Sequence, residues 1–373
     1  MPQRIRVGVI FGGRSGEHEV SLVSATSIIQ ALDPEKYDVV PIGITREGRW
    51  LSSPDMVRLM KERSGLDGRG EQYLLPEPGR HGLMSVNDST SAVKQLDVVF
   101  PIVHGTYGED GTLQGLLELA GIPYVGAGVL GSAVGMDKIV QKQLFREARL
   151  PIVKYVWFLS EEFHARPSPV VARITRALRY PVFTKPANTG SSVGITKAHT
   201  KSELMQGLEL AASFDRKVIV EQGVRNVREI ECSVLGNNDP QASLPGEIVP
   251  SNEFYDYDAK YVDGKSTAVI PARLPGKIVT AIRSTAVRAF KVLDLAGMAR
   301  VDFFLVRNSN RIYLNEVNTL PGFTPISMYP KLWEASGVGY HELLDRLIAL
   351  AIERHKEKSA LKTSFDPKIV WYK

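Results

Sequence analysis

Residues 5–11, IRVGVIF, form an apolar run of strand length that stops at Gly12-Gly13 and gives way to helical spacing. Leu22, Ala25, Ile28, Ile29 and Leu32 then share one helical face as far as Asp33-Pro34, a stop signal. The strand YDVVPIGI follows. A polar, poorly patterned insert occupies about 46–95, and after it come the strand DVVFPIV, the loop HGTYGEDG, the helix TLQGLLELA and the short strand IPYVG. Strand–helix alternation of this kind restricts the chain to an α/β fold with a mostly parallel sheet.

At 373 residues the chain exceeds one small core, and two or three domains are expected. The first spans 1–126. A second, at 127–221, carries a helix at 136–148, the strands YVWFLS and YPVFTKPA, and helices near 169–179 and 201–213. The strand KVIVEQGV at 217–224 leads as a hinge into a third unit, 222–373. There REIECSVLG precedes a polar, aromatic segment expected to form a mobile loop at about 251–268, and a long helix lies near 276–293. The turn RNSN makes the strands MARVDFFLV and RIYLNEV hairpin partners. Helices near 327–335 and 340–356 follow, and the tail beyond them has no assigned structure.

Composition narrows the function classes. With 43% hydrophobic and 23% charged residues, the chain reads as an ordinary globular protein. Its net charge of +5 is interspersed, without an arginine-rich arm or an aromatic-basic stripe, so nucleic acid is not an expected partner. A small anionic ligand fits a modest positive excess equally well. The single cysteine, Cys232, excludes an internal disulfide and a cysteine-built metal site, and its apolar setting IECSVLG marks a buried thiol. No apolar run approaches membrane-spanning length and no signal-peptide pattern is present, so a cytoplasmic, soluble location is expected.

Chemistry-bearing residues gather at strand ends. In NEVNTLPGFTP, Glu316 and Asn318 are two apart and face one side of a strand. Arg300 and Asp302 in MARVDFFLV share a face in the same way. If the hairpin holds, Asp302, Glu316 and Asn318 converge, and three oxygen donors without Cys or His suit Mg²⁺ or Mn²⁺. The alternative is an ion pair between Arg300 and one carboxylate.

In KPANTGSSVG, Lys185 precedes a loop rich in Gly, Ser and Thr, whose backbone N–H groups can face a phosphate. Lys138 in GMDK is either a second phosphate ligand or a solvated lysine. FGGRSGEHEVS permits close backbone approach at a helix start, where Glu17 either balances the helix dipole or grips an ammonium. His104 in HGTYGEDG is either a structural histidine or a substrate-site donor at a strand end.

Taken in order, FGGRSGEHEVSL, HGTYGEDGTLQGLLEL, GMDK, KPANTGSSVG, REIECSVLG, FYDYDAKY, ARVDFFL and NEVNTLPGFTP resemble the D-alanine–D-alanine ligase family of the ATP-grasp superfamily over about residues 5–350. The resemblance implies three α/β domains with ATP held between the central and C-terminal ones, and joining of two D-alanines for peptidoglycan synthesis. It also implies two Mg²⁺ or Mn²⁺ ions and a homodimer. Metal ligands would be Asp302, Glu316 and Asn318. The nucleotide side would comprise Lys138, Lys185, Ser191, Ser192, Glu221, Gln222, Glu229, Lys260, Asn315 and Glu316.

On the substrate side, Glu17 would hold the first D-alanine's ammonium, with His104 beside it. Arg300 and the Gly322 backbone would stabilise the oxyanion, and Ser327 and Met328 would hold the second D-alanine's carboxylate. Glu17, Ser191 and Tyr261 would form a hydrogen-bonded trio that fixes the mobile loop. Two positions depart from common relatives: Gln222 stands where several carry lysine, and Met328 replaces a leucine. Rival readings are a ligase with D-lactate or D-serine as acceptor, another ATP-grasp carboxylate–amine ligase, and a non-catalytic nucleotide-binding module.

Overall fold

The computed structural model describes residues 4–66, 71–80, 82–85, 93–249 and 267–364; Lys260, Tyr261 and nearly all of the expected mobile loop lie outside them. Strand β1 (Ile5–Gly12) runs parallel to β2 (Tyr37–Ile44), and β2 pairs antiparallel with β3 (Trp50–Ser52). Val7, Val9, Ile10 and Phe11 of β1 are fully buried, as expected of an inner strand covered on both faces. Helix α1 (His18–Ala31) lays Leu22, Ala25 and Ile28 into the core. The turn between β1 and α1 requires glycine at position 12, which has φ 88°; a Cβ there would lie 2.3 Å from the Ile44 carbonyl oxygen.

The insert is more ordered than its composition suggests. It contains α2 (Met56–Glu62) and an antiparallel sheet of β4 (Gln72–Leu74), β5 (Gly82–Ser85) and β6 (Val93–Gln95). Met56, Leu59 and Met60, at helical spacing within a single turn and a half, anchor α2, while Leu51, Leu74 and Leu83 are single buried anchors spread along the rest. Strand β7 (Val98–Pro101) completes the first sheet as the other parallel neighbour of β1, giving the order β3-β2-β1-β7. The short strand read at IPYVG reduces to a parallel bridge between Val99 and Tyr124.

Helix α3 (Thr112–Leu119) is followed by α4 (Val129–Met136) and α5 (Lys138–Glu147). The single helix expected at 136–148 is therefore preceded by a separate one. Asp137 breaks the two apart: its backbone is extended, and its carboxylate accepts from the N–H groups of Ile139 (3.0 Å) and Val140 (3.1 Å), capping α5.

The next sheet is wholly antiparallel. Strands β8 (Tyr155–Leu159), β9 (Val182–Pro186), β10 (Thr196–Ala198) and β11 (Lys217–Gln222) run in the order β10-β9-β11-β8. Helices α6 (Ser160–Ala165), α7 (Pro167–Ala177) and α8 (Lys201–Phe214) pack Phe163, Val170, Ile174, Leu204 and Leu208 against Val218 and Val220.

A third sheet takes β12 (Val227–Gly236), β14 (Gly246–Val249), β15 (Thr267–Val269), β16 (Gly297–Val306) and β17 (Ile312–Asn318) in the order β15-β14-β12-β16-β17, with β13 (Gln241–Ala242) paired to β12. One face carries Ile230, Cys232, Val234, Val301, Phe303, Leu305, Leu314 and Val317 against Ile282, Ala286 and Phe290 of α9 (Gly276–Val292). Burial pushes the Cys232 thiol up to about 12, which makes it inert. The opposite face carries the polar residues described below.

Helices α10 (Met328–Glu334) and α11 (Tyr340–Ser359) end the described chain. Leu343, Leu344, Leu347 and Ile348 of α11 join the core built by β1 and α1. Arg354 of α11 donates to the carbonyls of Gly126 and Tyr124, and its guanidinium lies 4.3 Å from the centre of the Tyr124 ring. Among the described residues no helix is long and apolar enough to cross a membrane.

Candidate active site

The β16–β17 hairpin pairs Asp302 with Glu316 and Arg300 with Asn318. Between Asp302 and Phe303 the register slips by one residue, because Phe303 pairs with Leu314 and Asn315 is the extra residue. Leu314 and Val317 therefore both face the core, while Asn315, Glu316 and Asn318 are left on the other side. A regular strand would have sent Asn315 and Glu316 to opposite faces.

Arg300 dominates this surface electrostatically. Its Nε and Nη2 donate to the two oxygens of Asp302, each at 2.8 Å, and Nε lies 3.1 Å from Glu231 Oε2. Burial alone would lower its pKa, but Asp302, Glu231 and Glu316 hold it well above the ordinary arginine value. The ion pair foreseen as the alternative to a metal site is thus present. Asn318 Nδ2 also donates to Asp302 Oδ2 at 2.9 Å.

The donor set still fits a hard divalent cation. Two facing carboxylates and an amide offer oxygen ligands on one surface, and the buried Oδ1 of Asn315 has no hydrogen-bond partner among the described residues. No group of three or more His, Cys, Asp or Glu that could hold a metal is found among the described residues; the third oxygen donor beside Asp302 and Glu316 is the Asn318 amide.

Two lysines face a carboxylate in the adjoining buried layer. Glu221, at the end of β11, pairs with Lys185 of β9 at 2.7 Å and with Lys142 of α5 at 2.9 Å. Burial would raise the Glu221 carboxyl, yet the two ammonium groups bring it down to about 2. Burial works against a charged Lys185 as well, and Glu221 and Glu316 raise its pKa above the usual lysine value. Gln222 turns away: its amide bonds both the N–H and the carbonyl of Arg179.

The loop after β9 closes over this layer. Lys138 Nζ donates to the Thr189 carbonyl at 2.6 Å, and Ser191 and Ser192 hold left-handed φ values of 44° and 61°. Non-glycine residues in that region bear strain, which concentrates at ligand sites. The Ser191 hydroxyl donates to Glu17 Oε1, linking the loop to the β1–α1 turn. Gly190 lets the loop come close: a Cβ there would lie 2.5 Å from Glu17 Oε2 and would push that carboxylate aside.

His104 is buried beside Glu17. Its Nδ1 lies 3.5 Å from Glu109 Oε1, and its Nε2 is 3.2 Å from Ser24 Oγ. Burial disfavours the charged ring, but Glu109 and Glu17 raise the His104 pKa above its ordinary value. At the other end, Ser327 Oγ accepts from the Thr324 N–H at 3.0 Å and shares a 2.7 Å bond with Thr324 Oγ1. Met328 packs with Ile248 and Leu332.

One cavity of about 320 Å³ connects these groups. Of the residues singled out from the sequence, Glu17, His104, Lys138, Ser191, Ser192, Arg300, Glu316, Asn318, Gly322, Ser327 and Met328 line it. Asp302 joins the cluster through Arg300, and Lys185 and Glu221 lie in the paired layer. Glu229 of β12 is in register with Ile248 of β14 on one side and Phe304 of β16 on the other. Sequence reasoning passed over Glu109, Glu231, Gln141, Lys142 and Lys331. Glu231 carried a signal, alternating with Ile230 and Cys232 in REIECSVLG, and Glu109 stood in the quoted loop HGTYGEDG.

Two antiparallel-sheet units that join at a cavity of cations and carboxylates, behind a parallel α/β unit, define the ATP-grasp class. Residues 6–127 match the family described as the D-ala D-ala ligase N-terminus, and residues 144–349 match its C-terminus. The chain belongs to the D-alanine–D-alanine ligase family. It is 47% identical over 363 residues to a D-alanine–D-alanine ligase of Natranaerobius thermophilus, covering 97% of this chain and 99% of the relative. With that of Thermoanaerobacter sp. (strain X514) it shares 52% identity over 359 residues, covering 95% and 99%.

Among solved structures, the D-alanine-D-alanine ligase from Coxiella burnetii superposes with a TM-score of 0.80 at 38% identity, covering 95% of this chain and 96% of that one. The VanG D-Ala:D-Ser ligase from Enterococcus faecalis gives 0.82 at 37%, covering 94% and 100%.

Proposed function

We propose that this chain joins two D-alanines to D-alanyl-D-alanine, using ATP and releasing ADP and phosphate, in the supply of peptidoglycan precursors. One arrangement supports this above all. A single cavity joins the Glu17–Ser191 bridge, suited to an amino acid, to the Arg300–Glu316–Asn318 face, suited to triphosphate.

A carboxylate oxygen is a poor leaving group. The first D-alanine's carboxylate therefore attacks the γ-phosphorus of ATP, forming an acylphosphate and ADP. The amine of the second D-alanine then adds to the acyl carbon, and phosphate leaves from the tetrahedral adduct. Glu17 anchors the first ammonium, and the Ser191 hydroxyl orients its carboxylate. His104, backed by Glu109, closes the same subsite.

Lys138, Lys185 and the loop at Ser191 and Ser192 surround the triphosphate, while Glu221, Glu229, Asn315 and the backbone of Gln222 face the nucleoside. Arg300 and the Gly322 N–H stabilise the oxyanion, and Ser327 with Met328 shapes the acceptor end. Asp302, Glu316 and Asn318 would hold two Mg²⁺ or Mn²⁺ ions, whose contribution is to neutralise charge on the phosphates. By the family resemblance, Lys260 belongs to the nucleotide side and Tyr261 to the trio with Glu17 and Ser191. We assign the domains as 1–126, 127–221 and 222–373, the protein as a homodimer, and its location as the cytoplasm, where ATP is available.

Phosphate release tests this reading. D-Alanine added with ATP and Mg²⁺ is expected to release phosphate in step with D-alanyl-D-alanine detected by mass. ATP binding without D-alanine-dependent ADP release would instead identify a non-catalytic nucleotide module.

A further inference from the structure

β17 ends its sheet, and past an isolated parallel bridge between Leu314 and Ile152 the backbone groups that Asn315 and Val317 turn away from β16 have no strand beside them. Helix α5 closes that edge with two consecutive buried side chains. Gln141 Oε1 accepts from the Val317 N–H at 3.1 Å and its Nε2 donates to the Val317 carbonyl at 3.0 Å, the two bonds that a neighbouring strand would make. The same Nε2 donates to the Gly135 carbonyl in α4. Lys142 Nζ donates to the Asn315 carbonyl at 3.0 Å. The residues so held, Asn315 and Val317, bracket Glu316, and Asn318 follows directly. Gln141 is only 3% exposed and Lys142 2%, so water does not substitute easily for either contact.

We propose that Gln141 is a positioning residue for the divalent cation. By acting as the missing strand neighbour of Val317, it fixes the bulged end of β17 and so the directions in which Glu316 and Asn318 present their oxygens. Lys142 extends the same device to the phosphate side, since it also pairs with Glu221, the partner of Lys185. The ion's ligands and the phosphate lysine are thereby referenced to one helix, which begins at Lys138. This inference rests on the reading of Glu316 and Asn318 as cation ligands.

The test uses the full-length protein with Mn²⁺ as a paramagnetic probe and a non-hydrolysable ATP analogue. Gln141→Met keeps the length and burial of the side chain but removes both bonds to Val317. Bound Mn²⁺, read by electron paramagnetic resonance, is expected to weaken about 10–100-fold, the usual effect of losing a group that orients a metal ligand. Calorimetry without metal is expected to show nucleotide affinity within about twofold of wild type, because the phosphate lysines remain in place.

Unchanged Mn²⁺ affinity in the folded variant overturns the proposal. An equal loss for Mn²⁺, metal-free nucleotide and D-alanine also overturns it, since that marks general destabilisation. Should Gln141→Met fail to fold, Gln141→Glu decides, because it retains the acceptor for the Val317 N–H; it must show the same selective loss in smaller degree. Glu316→Gln separates the underlying reading: wild-type Mn²⁺ affinity in that variant removes the cation site itself, whatever Gln141 does.

Discussion

Glu221 is buried between two lysine ammoniums, and burial and charge act on it in opposite directions. Its carboxyl is held at about 2, below the ordinary carboxylate value of 4.5, so the folded state favours the ionised form. The stabilisation this confers is complete above about 4.5 and is lost as pH falls through about 2. Glu221→Gln removes the charge and leaves two buried lysines without their anion, a change expected to cost about 3–5 kcal/mol. Urea unfolding at pH 7 measures that cost. Repeated between pH 5 and pH 2 (roughly the window of this shift), it should show a flatter decline in the variant than in wild type. Equal slopes would remove Glu221 as the source of the acid dependence. Glu316 carries a different kind of charge, one facing the cavity. Glu316→Gln is expected to fold normally, by far-UV circular dichroism, and to lower kcat by about tenfold or more, because charge on the transferring phosphoryl group loses compensation. Wild-type turnover at saturating Mg²⁺ would exclude Glu316 as a required ligand.

Elements bring these residues together, and they were legible from sequence to different degrees. The β16–β17 hairpin could be read because Arg300, Asp302, Glu316 and Asn318 keep the two-residue period and RNSN supplies the turn. The bulge at Asn315 could not, since a one-residue slip depends on the facing strand as well as on its own. The sheet formed by β4, β5 and β6 escaped for another reason: YLL and LM are short apolar runs in a polar insert, without sustained alternation, and only the packing of Leu74 and Leu83 under β2 shows their use. Gln141 and Lys142 read as polar residues on an ordinary helix, because their partners are backbone atoms some 175 positions away in sequence. The loop after β9 was recognised by composition, whereas its contact with the β1–α1 turn was reached only through the family resemblance, which paired Ser191 with Glu17. A side chain at Gly190 would fit only if the Glu17 carboxylate shifted. Gly190→Ala is expected to displace the Glu17 carboxylate and raise KM for the first D-alanine by about tenfold or more, since misplacement near one ångström is costly. Steady-state kinetics at saturating ATP measures this. An unchanged KM would show that Glu17 does not hold the ammonium.

Across the whole molecule, architecture does not choose the acceptor. The chain superposes equally well on a D-alanine-D-alanine ligase and on a D-Ala:D-Ser ligase, with TM-scores of 0.80 and 0.82. The two acceptors differ by one hydroxyl, so the choice belongs to the few groups at that end of the cavity. On the acceptor assignment proposed above, Met328 and Ile248 supply the apolar part of that end, backed by Leu332 and Ile270, with Lys331 beside them. The Ser327 hydroxyl is engaged by Thr324 through both backbone and side chain. Met328 and Ile248 suit the methyl group of D-alanine, and with Ser327 already bonded to Thr324 a serine hydroxyl finds less compensation there for lost water. Apolar pockets nevertheless reject an added hydroxyl only weakly, by about a hundredfold, whereas a site built to bond a hydroxyl rejects its absence far more strongly. D-Lactate faces a different barrier, because its hydroxyl is a poorer nucleophile than an amine toward the acylphosphate. In competition at equal concentrations of D-alanine, D-serine and D-lactate, D-alanyl-D-alanine is therefore expected to be the main product. D-Alanyl-D-serine should be detectable at roughly one part in ten to one in a hundred, the range an apolar pocket allows. Mass spectrometry of the products reads all three at once. A majority of D-alanyl-D-serine would show that a hydroxyl-bonding group operates at the acceptor end, and a majority of the D-lactate ester would overturn the amine as acceptor.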